Sequence, residues 1–593
     1  MFSTVMLLIV LLLLLLYLSS RKPKGYPPGP RWWPILGCAI EIARLRQETG
    51  YLFKTCSALC KKYGPVVGLK IGTDRIVVLN DYESIRSMLT NEDCDGRPIG
   101  PVYETRTFGA RRGLIVVDEN LWVEQRRFVL KHLRDFGFGR KSMVMIIEEE
   151  AQWLVEHFKK LIGDSYNNRV NESKVRCNNN DDDGQIYKLI KKDKVNELRS
   201  TDKYQTYGKQ LRASDMYVNA NEYMEIKKLA RSNLGMVIPM HDAFGVTVLN
   251  TLWRMMAGKR LFILSVPFII ITKFIYRWNS NAYVRIIPYR FNIDDKELTY
   301  FQRILTKLLR EIDMIGAPFG HFPILRFIAP EMSGYKSFLE IHQQLWKFLK
   351  EELDNHKRTF ISGSPRDLMD VYLTVLNSEN YSSTFSESQL LAICMDLFMA
   401  GSETTSKALG FCFLYLVLFP NVQKKAHEEI DRVIGRNRPP NLEDRTRMTY
   451  MNAIVLESLR MFMGRTLNVP HRALKDTTIL NYKIPKDTML IVNFNRIIMD
   501  DSWGDPEVFR PERFIDESGN LISPNTYFPF SIGRHRCMGE NLARSNIFII
   551  TTALLQAFTF SPVPGEKKPS SQDFVDGVTA GPKPFRVMVS LRT

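Results

Sequence analysis

Phe530-Ser531-Ile532-Gly533-Arg534-His535-Arg536-Cys537-Met538-Gly539 is the stretch that decides how the rest of the chain is read. Its cysteine follows three basic residues and lies between two glycines. Glycines at 533 and 539 let the backbone pass close to a flat ligand and turn N–H groups toward the sulfur. Basic residues at 534, 535 and 536 favour negative charge nearby, on a thiolate or on the carboxylates of a ligand. The apolar run Ile547 to Leu555 predicts a helix starting just past Gly539, and its positive end would further favour thiolate. These residue types in this order fit a deprotonated cysteine holding a metal on one side of a flat macrocycle. A buried structural cysteine in a glycine-rich turn is the plainer alternative.

Outward from that stretch, the chain has 593 residues, 45% hydrophobic and 11% aromatic. That allows one large α-rich domain or two to four smaller ones, and it excludes a mainly disordered protein. The 81 Lys+Arg exceed the 64 Asp+Glu by 17, so the surface is basic. Such a surface suits nucleic acid, anionic lipid or an acidic protein. Nucleic acid is set aside, because no zinc-finger spacing, RNA-binding aromatic signature or long basic tract is present. The cysteines Cys38, Cys56, Cys60, Cys94, Cys177, Cys394, Cys412 and Cys537 are scattered, with no CxxC pair. This usage suits a reducing compartment, and all but Cys537 read as buried filler.

Met1 to Leu18 is almost wholly apolar and is followed by Arg21-Lys22-Pro23-Lys24. No positive side chain precedes the apolar core, so an uncleaved anchor (residues 1–20) is expected over a cleaved signal. The basic cluster places the bulk of the chain on the cytosolic side. Eighteen residues at about 1.5 Å each just cross a thin bilayer. Residues 21–34, with Gly25-Tyr26-Pro27-Pro28-Gly29-Pro30, read as a stiff hinge between anchor and folded body.

Val66 to Leu79 alternates around Gly72-Thr73-Asp74 and predicts a β-hairpin. Helical spacing dominates afterwards, at 142–162, 298–315, 336–354, 387–418 and 421–434, and strand-like runs return near 467–495 and 555–592. The fold class is therefore mainly α with small β-sheets, not alternating βαβ units. Two segments look foreign to this plan. Residues 164–215 are rich in Asn, Asp and Lys and read as a solvated loop. Residues 261–290 open with the apolar run Leu261 to Thr272, too short to span a membrane as a helix.

The cysteine stretch resembles the haem-binding loop of the cytochrome P450 family, and further motifs stand in that family's order. Trp122-Val123-Glu124-Gln125-Arg126 is similar to the helix whose Trp and Arg bind a haem propionate. Their i, i+4 spacing puts both on one face. Ala400-Gly401-Ser402-Glu403-Thr404-Thr405 resembles the oxygen-activating groove of the family's central helix. Glu457-Ser458-Leu459-Arg460 matches a buried Glu/Arg pair, with Arg513 of Pro511-Glu512-Arg513-Phe514 as its third member. Residues 35–593 are thus expected to form the family's prism, with 164–215 and 261–290 as insertions. A translated unspliced segment is one origin considered for the second.

The resemblance implies haem b (iron protoporphyrin IX) ligated by Cys537, with Arg97, Trp122, Arg126, His471, Phe530 and His535 around it. Where the family usually carries Arg, this chain has His535; neutral imidazole donates one hydrogen bond, and charge pairing there becomes pH-dependent. Gly401 is expected to leave room for O2, Thr404 to donate a hydrogen bond, and Glu403 to take part in proton delivery. A small-residue kink, with Ser and Thr bonding back to the preceding turn, is the alternative there. Glu457, Arg460 and Arg513 are expected to be structural.

The implied reaction is monooxygenation of an apolar substrate: a steroid, fatty acid, juvenoid or foreign compound. Segments near 98–118, 205–250 and 376–400 are expected to set which. Electrons are expected from NADPH-cytochrome P450 reductase, with cytochrome b5 as a further partner, at the endoplasmic reticulum membrane. The basic face around Arg534 and Arg536 suits an acidic reductase surface. The motif details are most similar to microsomal members of the insect and vertebrate steroid/xenobiotic branch, with insect origin favoured. Two rival classes are a haem-thiolate isomerase or dehydratase, against which Thr404 and Glu403 speak, and a non-catalytic haem sensor.

Overall fold

The computed structural model describes residues 2–139, 141–178, 235–257, 296–462 and 466–592. Its centre is one long helix, Glu387–Phe398 continuing as Thr404–Leu418, joined by a single π turn over Met399–Glu403. Ser386 caps the start, its hydroxyl accepting from Gln389 N at 3.1 Å, and Pro420 bars continuation past the end. This helix is largely apolar around its circumference and buried on nearly all sides, as a helix in the middle of a large core must be. Helices Lys141–Asn178, Gly245–Met256, Tyr335–Thr359, Thr449–Arg460 and Glu540–Ala557 contribute the buried residues around it. The helical segments read from periodicity form, except that the one expected at 298–315 ends at Glu311.

The sheets are small. Strands β1 (Val66–Ile71) and β2 (Asp74–Leu79) make the expected hairpin, antiparallel from Val66↔Leu79 to Ile71↔Asp74. Two pairings carry the late sequence back onto it. Strand β5 (Met489–Val492) runs parallel to β2, and β4 (His471–Arg472) lies antiparallel to β5. A bridge between Gly96 and Arg472 follows, so residues near 95 and near 471 become neighbours. A second sheet has the order β3 (Gly235–Pro239), β7 (Arg586–Leu591), β6 (Phe558–Pro562).

Two expectations from sequence meet a different outcome, and one is left outside the described residues. The helix Lys141–Asn178 runs well past residue 164, so the start of the Asn/Asp-rich segment is helical; residues 179–215 lie outside the described residues. Segment 261–290 also lies outside them. The proline-rich hinge is docked, not loose. Tyr26 is buried and its hydroxyl donates to Leu69 O (3.3 Å) and Ile76 O (3.1 Å), while Gly68 N donates to Pro28 O at 2.7 Å. A buried aromatic with a satisfied hydroxyl outweighs the freedom of a linker. Phe2–Ser20 is a helix whose described apolar side chains are all exposed. Among the described residues no single helix is long and apolar enough to cross a membrane.

Candidate functional site

The cysteine loop is shaped by its own backbone. Ser531 N donates to Phe528 O (3.0 Å), Arg536 N to Gly533 O (3.2 Å) and Cys537 N to Phe530 O (2.9 Å). Gly533 has φ +78°, and a Cβ there would lie 1.9 Å from Leu89 O, so no side chain fits. Gly539 caps the helix Glu540–Ala557, which puts Cys537 two residues ahead of that helix's positive end. Cys537 is exposed, whereas Cys38, Cys56, Cys94, Cys394 and Cys412 are buried and Cys60 is half-buried. Burial raises the thiol pKa of those six, to about 12 for Cys56 and Cys94 and about 11 for Cys412. They are inert filler, as read.

Around the loop the fold gathers residues that are far apart in sequence. Trp122 and Arg126, on helix Glu119–Asp135, stack with the guanidinium 5.2 Å from the indole ring. Arg126 Nη2 donates to Arg536 O at 2.8 Å. Burial lowers the Arg126 pKa and the neighbouring Cys537 raises it, so each charge feels the other. His535 lies on Trp122, ring centroids 4.3 Å apart, and meets His471 edge-on at 5.2 Å. Phe530 packs under the Arg544 guanidinium at 5.1 Å.

Arg97 is the informative member. It is buried, its Nη1 donates to Val469 O (3.1 Å) and Pro470 O (2.9 Å), and its Nε has no partner. Burial brings its pKa down to about 10, so it stays charged at neutral pH. Among the described residues it forms no ion pair. A buried guanidinium without a carboxylate is costly unless an anion completes it, and haem propionates are such anions. The residues therefore fit haem b: an exposed cysteine at a helix N-terminus, and in the same cluster a buried cation that no carboxylate pairs directly, although Asp95 and Asp118 still favour its charge.

The histidines correct one expectation. Burial, aided by Arg97, holds His535 down to about 2 and His471 to about 3, so both are neutral. Each then owns one N–H. His535 Nε2 donates it to Asp95 O at 2.8 Å, and His471 Nδ1 to Cys94 O at 2.9 Å. The hydrogen bond that neutral His535 was expected to offer a ligand is already used on backbone, and its charged form is suppressed. Arg536 likewise pairs with Glu540 at 2.8 Å, and Arg534 lies over Trp122 at 5.7 Å.

On the central helix, Ala400 is exposed and Thr404 part-exposed although the helix is otherwise buried, so open space adjoins that face. Thr404 Oγ1 donates to Ala400 O at 2.6 Å, across the π turn. Such turns are rare, and they widen the helix where a ligand needs access. Gly401 points elsewhere. A Cβ on it would lie 2.5 Å from Leu252 Cδ1, so the glycine admits helix Gly245–Met256 rather than making room at the open face. Glu403 is buried and turned toward a polar cluster, with Thr306 Oγ1 donating to it at 3.4 Å and Lys407 Nζ 3.9 Å away. Burial raises its pKa against Lys407 and Arg310, and its Oε1 accepts no hydrogen bond, so it can hold a proton.

Glu457, Arg460 and Arg513 form the expected cluster. Arg460 donates Nε and Nη2 to Glu457 at 2.7 and 2.8 Å, and Arg513 Nε donates at 3.0 Å. Sequence reading missed Asp118, which accepts from Arg97 N (2.8 Å), Arg111 (3.0 Å) and Arg472 (2.9 Å) and orders the cradle. It also missed Asp396, a carboxylate inside an apolar helix, which was the available signal.

A sequence model of the cytochrome P450 family matches residues 27–176 and 269–589. The chain is 38% identical to a probable cytochrome P450 303a1 of Drosophila melanogaster over 579 residues, covering 96% of this chain and 95% of that protein. It is 30% identical to a farnesoate epoxidase of Bombyx mori, covering 97% and 96%. It is also 30% identical to human cytochrome P450 2J2, covering 96% and 92%.

Proposed function

Because the chain belongs to the cytochrome P450 family, we propose that it is a membrane-bound monooxygenase of apolar substrates with Cys537 as the haem ligand. Family members bind haem through a cysteine thiolate and are monooxygenases. Bound there, the haem would supply the oxidising chemistry, inserting one atom of O2 into substrate while the other leaves as water. The protein's own groups hold it and manage protons. Arg97 and Arg126 would anchor propionates, with Trp122 beside them. Thr404 and Ala400 border the open face. Glu403 would store and release a proton through the helix turn. The observation that carries this reading is the buried guanidinium of Arg97, with no direct ion pair and an unpartnered Nε, in one cluster with Arg126 and the exposed Cys537 at a helix N-terminus.

Partners follow from the surface. Arg127, Lys131 and Arg134 are exposed along helix Glu119–Asp135, and exposed Arg534 and Arg536 lie at its Trp122–Arg126 turn. This basic face supports docking of an acidic donor, NADPH-cytochrome P450 reductase first and cytochrome b5 second. Endoplasmic reticulum anchoring through residues 1–20 is supported by the exposed leucines of Phe2–Ser20. It is also supported by an apolar patch of Trp33, Ile35, Ile40, Ile324, Phe327 and Met332. Both parts of the patch meet the β1–β2 turn, where Gly72 N donates to Leu36 O and Thr73 N to His321 O. The farnesoate epoxidase relative makes isoprenoid esters and acids the first substrates to screen.

The test is the carbon monoxide difference spectrum of the reduced protein beside Cys537→Ser. A thiolate-type Soret band in the parent and its loss in the variant is the expected outcome. An unchanged band in Cys537→Ser would overturn the assignment.

A further inference from the structure

Just before β4 the chain breaks the regularity of its sheet. Leu467 bridges Asn493, and His471 pairs with Leu490 on β5. Four steps from 467 to 471 thus face three steps from 493 to 490, which makes a bulge of one extra residue. Val469-Pro470 sits in it, and the proline has no N–H to give a ladder. Both carbonyls turn out of the sheet and accept from Arg97 Nη1, at 3.1 Å for Val469 O and 2.9 Å for Pro470 O. Asn468 closes the gap that this leaves. Its N–H donates to Val492 O at 3.2 Å, and its side-chain Oδ1 accepts from Val492 N at 2.8 Å, in place of a backbone carbonyl.

That contact also fixes which way the amide lies. Turned over, the NH2 group would meet the Val492 N–H, donor against donor. Nδ2 is therefore committed to the other side, where it has no partner among the described residues, and Asn468 is 7% exposed. A buried amide donor left unpaired is costly and marks a missing acceptor. A second orphan stands against the same bulge, the Nε of Arg97. Val469 is 38% exposed, whereas Leu467, Asn468, Pro470 and His471 are buried, so open space borders the bulge. Two unpaired donors beside one opening call for an oxygen that the chain does not supply. A charged oxygen is favoured over a neutral carbonyl, because Arg97 forms no direct ion pair among the described residues.

We propose that Asn468 Nδ2 and Arg97 Nε form one oxygen-binding subsite and that its occupant is a carboxylate of the bound haem. Asn468 holds the carboxylate without neutralising it, and the bulge is what brings the uncharged donor beside the charged one. The inference rests on the haem-thiolate reading above, and the experiment separates the two.

Haem-loaded protein is compared as the parent, Asn468→Asp and Asn468→Ala. Asn468→Asp keeps an acceptor for Val492 N and exchanges only the donor, for an oxygen that repels a carboxylate. Asn468→Ala removes both groups and decides the matter if Asn468→Asp does not fold. The readouts are the rate of haem transfer to apomyoglobin and the propionate bending band in the resonance Raman spectrum of the ferric protein. In Asn468→Asp haem leaves about tenfold faster or more, equivalent to about 1.4 kcal/mol, and the band shifts. Asn468→Ala moves both readouts the same way by less. A band unmoved in both variants, or moved only in Asn468→Ala, overturns the proposal. So does a substrate carboxylate as the occupant: Soret titrations would then show dodecanoic acid weakened against methyl dodecanoate in Asn468→Asp while the propionate band stays in place. A parent protein that binds no haem would instead overturn the haem-thiolate reading beneath it.

Discussion

Replacing Glu457 by alanine strands two guanidinium groups at once. Glu457 and Arg460 are fully buried and Arg513 is 5% exposed, so solvent cannot reach in to compensate. The carboxylate accepts three side-chain hydrogen bonds and a fourth from Arg510 N at 2.9 Å. After substitution Arg460 keeps Ile498 O and Pro506 O, and Arg513 keeps Asp505, but the buried positive charges lose their central counter-charge. Breaking a buried pair in this way costs about 3–5 kcal/mol. Unfolding entropy of about 2.1 cal/mol/K per residue, taken over the whole chain, converts that to a fall of about 2–4 °C in Tm. The control is Glu48→Ala, which removes the Arg44–Glu48 pair at 3.1 Å, 81% and 55% exposed. An exposed i, i+4 pair contributes about 0.3–0.5 kcal/mol, so the control moves by less than about 0.5 °C. Scanning calorimetry of the haem-loaded protein reads both. A Glu457→Ala shift no larger than the control's would refute the claim that this cluster holds charge in the interior.

Three further outcomes are expected. Gly401→Ala drives a methyl into Leu252 and destabilises by about 1–3 kcal/mol; adding Leu252→Ala relieves the clash, and a double-mutant cycle in urea showing no coupling would count against it. His356 donates from both ring nitrogens, Nδ1 to Glu352 O (2.9 Å) and Nε2 to Ala257 O (3.1 Å) and Asp367 (3.0 Å), which requires the imidazolium form. Burial opposes that charge, but the Asp367 hydrogen bond and charge win and raise its pKa from 6.5 to about 9. Its stabilisation is complete below about 6.5 and lost as pH rises through about 9. The urea midpoint should fall over that window and do so much less in Asp367→Asn; equal profiles would show that the pair is not linked to folding. Charge reversal at Arg127, Lys131 and Arg134 should raise the reductase concentration needed for half-maximal turnover and flatten its salt dependence, leaving the carbon monoxide spectrum intact. An unchanged reductase dependence would move the docking face elsewhere.

Much of the site was legible because short-range rules govern it. The thiolate loop needs glycine where Leu89 O approaches and a helix start after Gly539, and both are local features. Trp122 and Arg126, or Glu457 and Arg460, meet through i, i+4 and i, i+3 spacing alone. Gly401 shows the limit of such reading. A glycine in a ligand-facing motif suggests space for the ligand, yet its missing Cβ faces Leu252, and only the packing of two helices decides which way it points. Tyr26 carries the same lesson. Prolines around it read as a hinge, but the carbonyls of Leu69 and Ile76 lie in wait for its hydroxyl.

Local sequence alone sufficed for the mainly helical class, the hairpin, the central helix and the glycine-flanked cysteine ahead of a helix start, because periodicity and residue chemistry act over a few positions. Tertiary structure alone decided which charges are spent and which remain available. His535 and His471 give their single N–H groups to Asp95 O and Cys94 O, Arg536 turns to Glu540, and Arg97 is left buried with no direct ion pair among the described residues and an unpartnered Nε. That outcome depends on β4 returning beside Gly96, and on loop 106–118 being drawn to Asp396 and Asp118. Partners separated by hundreds of residues in the chain are set by how strands and helices close on one another, and no local pattern encodes that closure.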